Sequence, residues 1–314
     1  MGGTYTAAYL FTNCTARKSR PATSALSLRT LPRQTLRGLA RDWVRRLDKA
    51  PDRLPATQLY QGRAMREAQA AAEQSSAQLM IVSAGVGLVG AKTLIPPYEA
   101  TITRGHAQNP QNRTKETATS ADWWSELTKA LGRPSPVAEL ILGTKPNSLA
   151  IFAISRPYLE MLAGEMSNLG PEQVGRIRII SHGPQSWLPI HLRGQTIVYS
   201  ASFDGPRSPN PGTKSDFVQR AARHFVTEIL PNCPGGSASD QQRMVNHTLD
   251  ELPIPQVHTR RRLTDDAIIE IIKRDLTLVG GQSSRMLRHL RDNLYVSCEQ
   301  GRFRDLFKKA AALD

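Results

Sequence analysis

The run Leu149-Ala-Ile-Phe-Ala-Ile154, followed by Ser155-Arg-Pro157-Tyr-Leu-Glu-Met-Leu-Ala-Gly-Glu-Met166 and then by Arg176-Ile-Arg-Ile-Ile180, decides the fold. The first run is strand-like, residues 157–168 read as a helix with Pro157 tolerated in its first turn, and 176–180 reads as another strand. Outward from this unit the same alternation recurs. Residues 5–12 predict a first strand, Leu79-Met-Ile-Val-Ser83 a strand buried on both faces, and Thr196-Ile-Val-Tyr199 a last one. Helices are expected over 35–48, 62–77, 122–131 and 214–230. In 35–48, Leu36, Leu39, Trp43, Val44 and Leu47 recur at helical spacing. In 214–230 the stripe is Phe217, Ala221, Phe225 and Ile229. Segments 16–34 and 104–120 are polar and read as loops. Strands alternating with helices predict an α/β domain over 1–230, with a mostly parallel sheet flanked by helices on both faces.

Beyond residue 230 the pattern changes. Residues 231–258 contain Pro-Asn-Cys-Pro-Gly-Gly-Ser, Pro253 and Pro255, and read as a linker. In 259–314 three short helices are expected. The first opens at Thr264 with Asp265 and Asp266 in its first turn, the second spans 284–294, and the third about 299–311. Arg285, Arg288 and Arg291 lie on one side of the second, opposite Met286, Leu287, Leu290 and Leu294. The arrangement resembles a helix-turn-helix DNA-binding module.

Charge narrows the partners. The chain of 314 residues has a net charge of +14, and its arginines outnumber its lysines 31 to 10. Residues 1–66 carry 13 Lys and Arg against 3 Asp and Glu, residues 260–314 carry 12 against 8, and the stretch between is balanced. Basic surface gathered at the two chain ends, with a sequence pI of about 10.1, is the electrostatic footprint of a nucleic-acid binder. The expected phosphate contacts are Arg17, Lys18, Arg37, Arg41, Arg45, Arg260, Arg261, Arg262, Arg285 and Arg288. Double-stranded DNA is the expected partner, bound by a monomer. No apolar run reaches the ~18 residues of a membrane span, and the N-terminal residues lack a secretory layout, so a soluble cytoplasmic protein is expected. Cys14, Cys233 and Cys298 are scattered, and the seven histidines form no metal-ligand spacing, so no metal is expected.

Gly85-Val-Gly-Leu-Val-Gly90 matches a dinucleotide-binding loop but fails on context. Pro96-Pro97 stops any helix after it, Ala91 separates Gly90 from Lys92, and no nucleotide cofactor is expected. More telling are the strand ends, because open α/β sheets bind ligands beyond the carboxyl ends of their strands. These ends read Thr12-Asn13-Cys14-Thr15, Ser83-Ala84-Gly85, Ser155-Arg156, Ser181-His182-Gly183 and Ser200-Ala-Ser-Phe203-Asp204-Gly205. Together they offer amide, imidazole and carboxylate to one polar hollow. Cys14 stands in a basic stretch that would favour its thiolate, and is also read simply as a buried residue beside a strand.

Four segments carry a family resemblance: Thr12-Asn-Cys14-Thr-Ala-Arg-Lys18, Leu59-Tyr60-Gln-Gly62, Ser83-Ala-Gly-Val-Gly87-Leu-Val89 and Pro97-Tyr98-Glu-Ala-Thr101. In this order they resemble the peroxide-stress YaaA family, which lies near the uracil-DNA-glycosylase-like α/β superfamily. With a basic helical module after them, the chain resembles the antiviral DNA glycosylases of bacterial defence. The resemblance implies a monofunctional hydrolase that cuts the N-glycosidic bond of a modified base in phage DNA, glucosylated hydroxymethylcytosine among the options, and leaves abasic sites. The uracil-glycosylase segment Gly-Gln-Asp-Pro-Tyr-His is absent, so the catalytic carboxylate must come from elsewhere. Asp204 is the first choice, Glu99 the second and Asp42 the third. Asn13 would hydrogen-bond the flipped base and His182 would stabilise the leaving group. Tyr60, Tyr98 or Phe203 would stack on it, and Cys14 and Ser83 would line its pocket. Lys18 offers a Schiff-base alternative. A non-catalytic DNA-binding or stress-protection protein and a base-exchange enzyme are the competing readings.

Overall fold

The computed structural model describes residues 5–205, 207–255 and 259–311, so the N-terminal residues 1–4 and residues 256–258 of the expected linker lie outside the described residues. The chain divides into two compact units, Met1–Pro255 and Gln256–Asp314.

The first unit is an α/β structure around a six-stranded sheet. Its strands are β1 (Thr6–Asn13), β2 (Gln78–Ser83), β3 (Gly87–Gly90), β4 (Ser148–Ala153), β5 (Ile177–His182) and β6 (Thr196–Tyr199), in the order β3-β2-β1-β4-β5-β6. Every pairing is parallel except β2 with β3. Side chains alternate between two buried cores, as they must in a sheet covered on both faces. Leu10, Ile81 and Ile151 enter one core; Phe11, Val82 and Phe152 enter the other, where Phe11 and Phe152 stack with ring centroids 4.4 Å apart. The first core is covered by α1 (Leu36–Asp48) and α2 (Arg63–Ser75), and α3 (Ser120–Ala130) sends Trp123 into it and Trp124 into the second. The helix read over 157–168 is two short pieces, α4 (Arg156–Met161) and a turn Ala163–Ser167. The helix over 214–230 is a 3-10 turn Lys214–Asp216, then α5 (Phe217–His224), then a π turn Phe225–Ile229.

The glycines 85–90 open no helix. Gly87, at φ +70°, turns the chain into β3, and Gly85 lets the Tyr98 ring lie against the backbone, where a Cβ would come within 2.2 Å of it. The expected linker needs correction. Residues 238–250 form α6 (Ala238–Asp250), capped by Ser237, with Val245 and Leu249 buried in the first core. Gln241 accepts from the buried Arg178 guanidinium of β5 at 2.5 Å. Gln242 accepts from Val198 N at 2.6 Å and donates to Val198 O at 3.0 Å, a two-bond clamp on β6. The prolines and glycines that suggested a linker lie at the two ends of this stretch; an apolar stripe spaced i, i+4 lies between them. Residues 104–120 are likewise more ordered than their composition suggests, with Gln108, Asn109 and Thr114 buried.

The second unit holds α7 (Asp265–Asp275), α8 (Ser283–Arg288, extended by a π turn His289–Asn293) and α9 (Gln300–Ala311), around Ile268, Ile272, Met286, Leu290, Phe303 and Leu306. Seven residues, Leu276–Gln282, join α7 to α8, with Gly280 and Gly281 at positive φ. This connection is longer than the 3–4-residue turn of a helix-turn-helix. Arg261 and Arg262 pair in parallel with Val296 and Ser297. Buried Asp275 accepts from Arg274 and shares a 3.0 Å hydrogen bond with His289; the Arg274 hydrogen bonds lead in holding its pKa down to about 2, against burial. An acid whose pKa is lowered by folding stabilises the fold above its unfolded pKa and loses that contribution as pH falls. This unit is therefore expected to lose stability on acidification between about pH 4 and pH 2. Asp275→Asn should flatten that part of a stability–pH curve measured by urea unfolding; an unchanged curve would refute the assignment.

Candidate functional site

A sheet of this order has one place where the chain reverses direction. From β1 the chain builds outward through β2 and β3, then crosses back to lay β4 on β1's other side. Neighbouring loops diverge at such a switch point and leave a crevice at the carboxyl ends of the strands. A hollow of about 360 Å³ opens here, lined by Asn13, Ser155, Arg156, Ser181, His182, Asp204, Lys214 and Gln219, with Ile154, Leu159, Ile180 and Phe217 as apolar wall. It thus collects the ends of β1, β4, β5 and β6. Of the strand ends singled out in the sequence, four meet here and one does not.

The fifth end, after β2, is sealed. Trp43 Nε1 donates to Gly85 O at 2.6 Å and Trp123 Nε1 to Ala84 O at 2.8 Å. Ser83 Oγ accepts from Gly85 N and Val86 N, both at 3.1 Å, and meets the Tyr98 hydroxyl at 2.5 Å. Tyr98 in turn lies 2.6 Å from the Tyr60 hydroxyl. Ser83, Tyr60 and Tyr98 are fully buried in this hydroxyl chain, so the expected roles in lining a pocket and stacking on a base do not hold for them. Phe203 is also buried, edge-on to Tyr199 and Phe217, and offers no stacking face. Burial holds the pKa values of Tyr98 and Tyr199 well above the usual phenol range.

Cys14 is buried too, its Sγ 3.0 Å from the Tyr158 hydroxyl of α4, and does not line the hollow. Lys18 is half-buried, with its Nζ 4.5 Å from the centre of the Tyr98 ring. Burial lowers its pKa, against the opposing pull of Cys14 and Glu99. A cation so placed packs on an aromatic face. Glu99 belongs to a separate network, accepting from Ser27 Oγ at 3.1 Å and Gln108 Nε2 at 2.6 Å, and does not line the hollow. Asp42 pairs with Arg45 at 3.0 Å and accepts from Gln34.

Asn13, His182 and Asp204 do converge on the hollow. Asn13 spans the switch point: its Oδ1 accepts from Ser155 N and its Nδ2 donates to Cys14 O, both at 3.1 Å, so its amide first serves to join β1 to β4. His182 is exposed, edge-on to Phe217 with centroids 4.6 Å apart. Asp204 ends a 3-10 turn after β6, and Arg220 holds its Oδ1.

Arg220 is a site residue that the sequence reading passed over. Fully buried, it donates to Asp216 Oδ1 at 2.6 Å, Asn210 O at 2.6 Å, Thr213 O at 3.0 Å and Asp204 Oδ1 at 2.5 Å, and lies 5.6 Å from the centres of both Phe203 and Phe217. Burial works to raise the Asp216 pKa, but bonds from Thr213 and Arg220 outweigh it, and the net shift is downward. The i, i+4 pair Asp216/Arg220 was the signal available in the sequence. Gln219 was also missed, since a single Gln inside an apolar helical stripe carries no pattern of its own. Removing one member of a buried ion group strands the others, at about 3–5 kcal/mol. Arg220→Met is expected to destabilise by that amount in urea unfolding, and a loss below about 1 kcal/mol would show the network to be dispensable.

Among the expected phosphate contacts, Arg37, Arg41 and Arg45 lie one turn apart on the exposed face of α1, and Arg37 and Arg41 border a groove with Lys129 and Glu126. Arg17, Arg261, Arg262, Arg285 and Arg288 are exposed. Arg260 is tied to Asp292 and to Arg291 O. Among the described residues no cluster of His, Cys, Asp and Glu could hold a metal ion, and no helix is long and apolar enough to cross a membrane.

Residues 47–165 are similar to a family of unknown function, DUF6884. No curated protein matches the chain. The matched stretch runs from the end of α1 through the β2–β3 hairpin to α4. It includes Tyr60, Ser83, Tyr98 and Tyr158, while Asn13, His182, Asp204 and Gln219 lie outside it.

Proposed function

We propose that this chain is a DNA glycosylase that hydrolyses the N-glycosidic bond of a modified base, within a uracil-DNA-glycosylase-like α/β architecture. The observation that carries the reading is the convergence of Asp204 and His182 on one hollow at the sheet's switch point. Asp204 has one oxygen fixed by Arg220, and its Oδ2 has no partner among the described residues. Cleavage develops positive charge on the sugar and negative charge on the departing base. Asp204 Oδ2 takes a proton from water, whose hydroxyl adds to C1′ as the C1′–N bond breaks. The bonding electrons leave with the base, His182 hydrogen-bonds to it, and the proton held by Asp204 ends on it. Lys18 does not line the hollow, which favours the hydrolytic reading over the Schiff-base alternative. Modified phage DNA as substrate, and with it an antiviral role, is the part of the proposal that rests on the resemblance of the Thr12–Lys18, Leu59–Gly62, Ser83–Val89 and Pro97–Thr101 segments together with the basic helical module that follows them.

Delivery of DNA falls to exposed arginines, Arg37, Arg41 and Arg45 on the first unit and Arg261, Arg262, Arg285 and Arg288 on the helical unit. Each phosphate contact contributes about 0.9 to the slope of log K against log salt. Replacing Arg37, Arg41 and Arg45 together by Ala should reduce that slope by about 2–3 on duplex DNA, and an unaltered slope would remove α1 from the interface.

The chemistry is tested by incubating the chain with DNAs of different base modification and counting abasic sites. Asp204→Asn keeps an oxygen for Arg220 but loses the base. It is expected to release base at least ~100-fold more slowly while retaining DNA as the parent does. Equal rates would overturn the role of Asp204. Retention of every DNA without abasic sites would favour a non-catalytic binding protein.

A further inference from the structure

Among the described residues that line the hollow, Gln219 alone has a buried side-chain polar atom without a partner. The side chain is 2% exposed. Its Nε2 donates to Ala153 O at 3.1 Å and to Thr12 Oγ1 at 3.2 Å, and its Oε1 accepts from nothing. The two ends of the amide are not interchangeable. Ala153 O is a backbone carbonyl and can only accept, so the NH₂ end must face it, and turning the amide would set two oxygens against each other. The carbonyl end is left as an acceptor with no donor. Burying such a group is unfavourable, and native proteins keep few of them.

The surroundings of Gln219 narrow what that donor is. The apolar wall of Ile154, Leu159, Ile180 and Phe217 suits a flat, largely apolar body, and the hollow's volume lies at the small end of ligand pockets. Two cations line the same hollow, both exposed: Arg156, which shares its charge with Glu160 and lies 5.0 Å from the centre of the Trp187 ring, and Lys214. A ligand with a flat body, an N–H on its edge and a negative charge at its other end satisfies all three features.

We propose that Gln219 is a specificity-determining residue, whose Oε1 accepts a hydrogen bond from an N–H on the edge of a nucleobase seated in the hollow while the attached phosphate meets Arg156 and Lys214. The inference rests on the nucleobase reading given above, but concerns binding and not bond cleavage. It selects bases with an exocyclic amine or ring N–H turned toward α5, and rejects those in which that position is fully alkylated.

The test measures binding of 2′-deoxynucleoside 5′-monophosphates to the full chain by calorimetry. The probes are the cytidine form with its N4,N4-dimethyl counterpart, and the thymidine form with its N3-methyl counterpart. At least one parent should bind about tenfold or more tightly than its alkylated counterpart, the worth of one buried hydrogen bond. Gln219→Met, of similar length with no acceptor, should bring that ratio close to one. N4-monomethyl cytidine monophosphate, which keeps one N–H and adds bulk, guards against a purely steric explanation: if cytidine is the discriminating pair, it should bind within a few-fold of the parent. Equal binding within both pairs, absence of binding by both parents, or a ratio that survives Gln219→Met would each overturn the proposal. Should Gln219→Met fail to fold, equal binding within both pairs by the unaltered chain still overturns the proposal. Discrimination without base release from any DNA would refute the glycosylase reading and leave the assignment of Gln219 standing.

Discussion

A guanidinium shut away from water must find an acceptor for its N–H groups, and Arg220 finds them on three different pieces of chain. Asp204 belongs to the turn after β6, Asn210 and Thr213 to the loop that follows, and Asp216 to the turn opening α5. Because the geometry of the guanidinium is rigid and planar, it fixes these pieces relative to one another. Arg63 of α2 adds a second cation to Asp216 at 3.0 Å, extending the network toward the opposite end of the chain. The wall of the hollow is thus held by charge, whereas its floor is held by the parallel sheet. Isolated, any of these ions would be expensive to bury, and together they leave Asp204 with one oxygen occupied and the other available.

The sheet supplies the other half of the site through a constraint of direction. Parallel strands need crossovers, so their carboxyl ends gather on one side. Asn13, Ser155, His182 and the 200–204 turn meet for that reason and not through any local motif. The end after β2 departs from the rule because β2 turns back antiparallel into β3. Its polar residues are consumed by the turn: Ser83 bonds its backbone, and two indoles take the carbonyls of Ala84 and Gly85.

Much of the fold was legible because it depends on short-range pattern. Strands buried on both faces read as unbroken apolar runs, and amphipathic helices as stripes, so an α/β class with a mostly parallel sheet follows from residues such as Leu79–Ser83 and Leu149–Ile154. The site was legible in part. Strand ends could be located, but which side chains face the hollow depends on long-range packing. Phe203 and Asp204 are neighbours in sequence, yet one is sealed among aromatic rings and the other borders the cavity. Tyr60 and Tyr98 promised stacking faces and are instead paired through their hydroxyls, since a buried phenol must satisfy its O–H. Gln219 could not be told apart from an ordinary polar helix position, because its bonds go to strands more than 60 residues away, whereas Arg220 announced only its i, i+4 partner Asp216 and not the loop residues that complete its network. The helix at 238–250 was obscured by the Pro and Gly residues on either side of it.

The Gln242 clamp has a consequence for assembly. A terminal strand ordinarily exposes a row of N–H and C=O groups that invites a further strand from another molecule. On β6 the amide of Gln242 already occupies both groups of Val198, imitating with one side chain the pairing a neighbouring backbone would make. An incoming strand would have to displace that amide, and with it α6, from the sheet. The helix thus acts as a stopper, ending the sheet at six strands on this side and guarding it against runaway edge-to-edge growth.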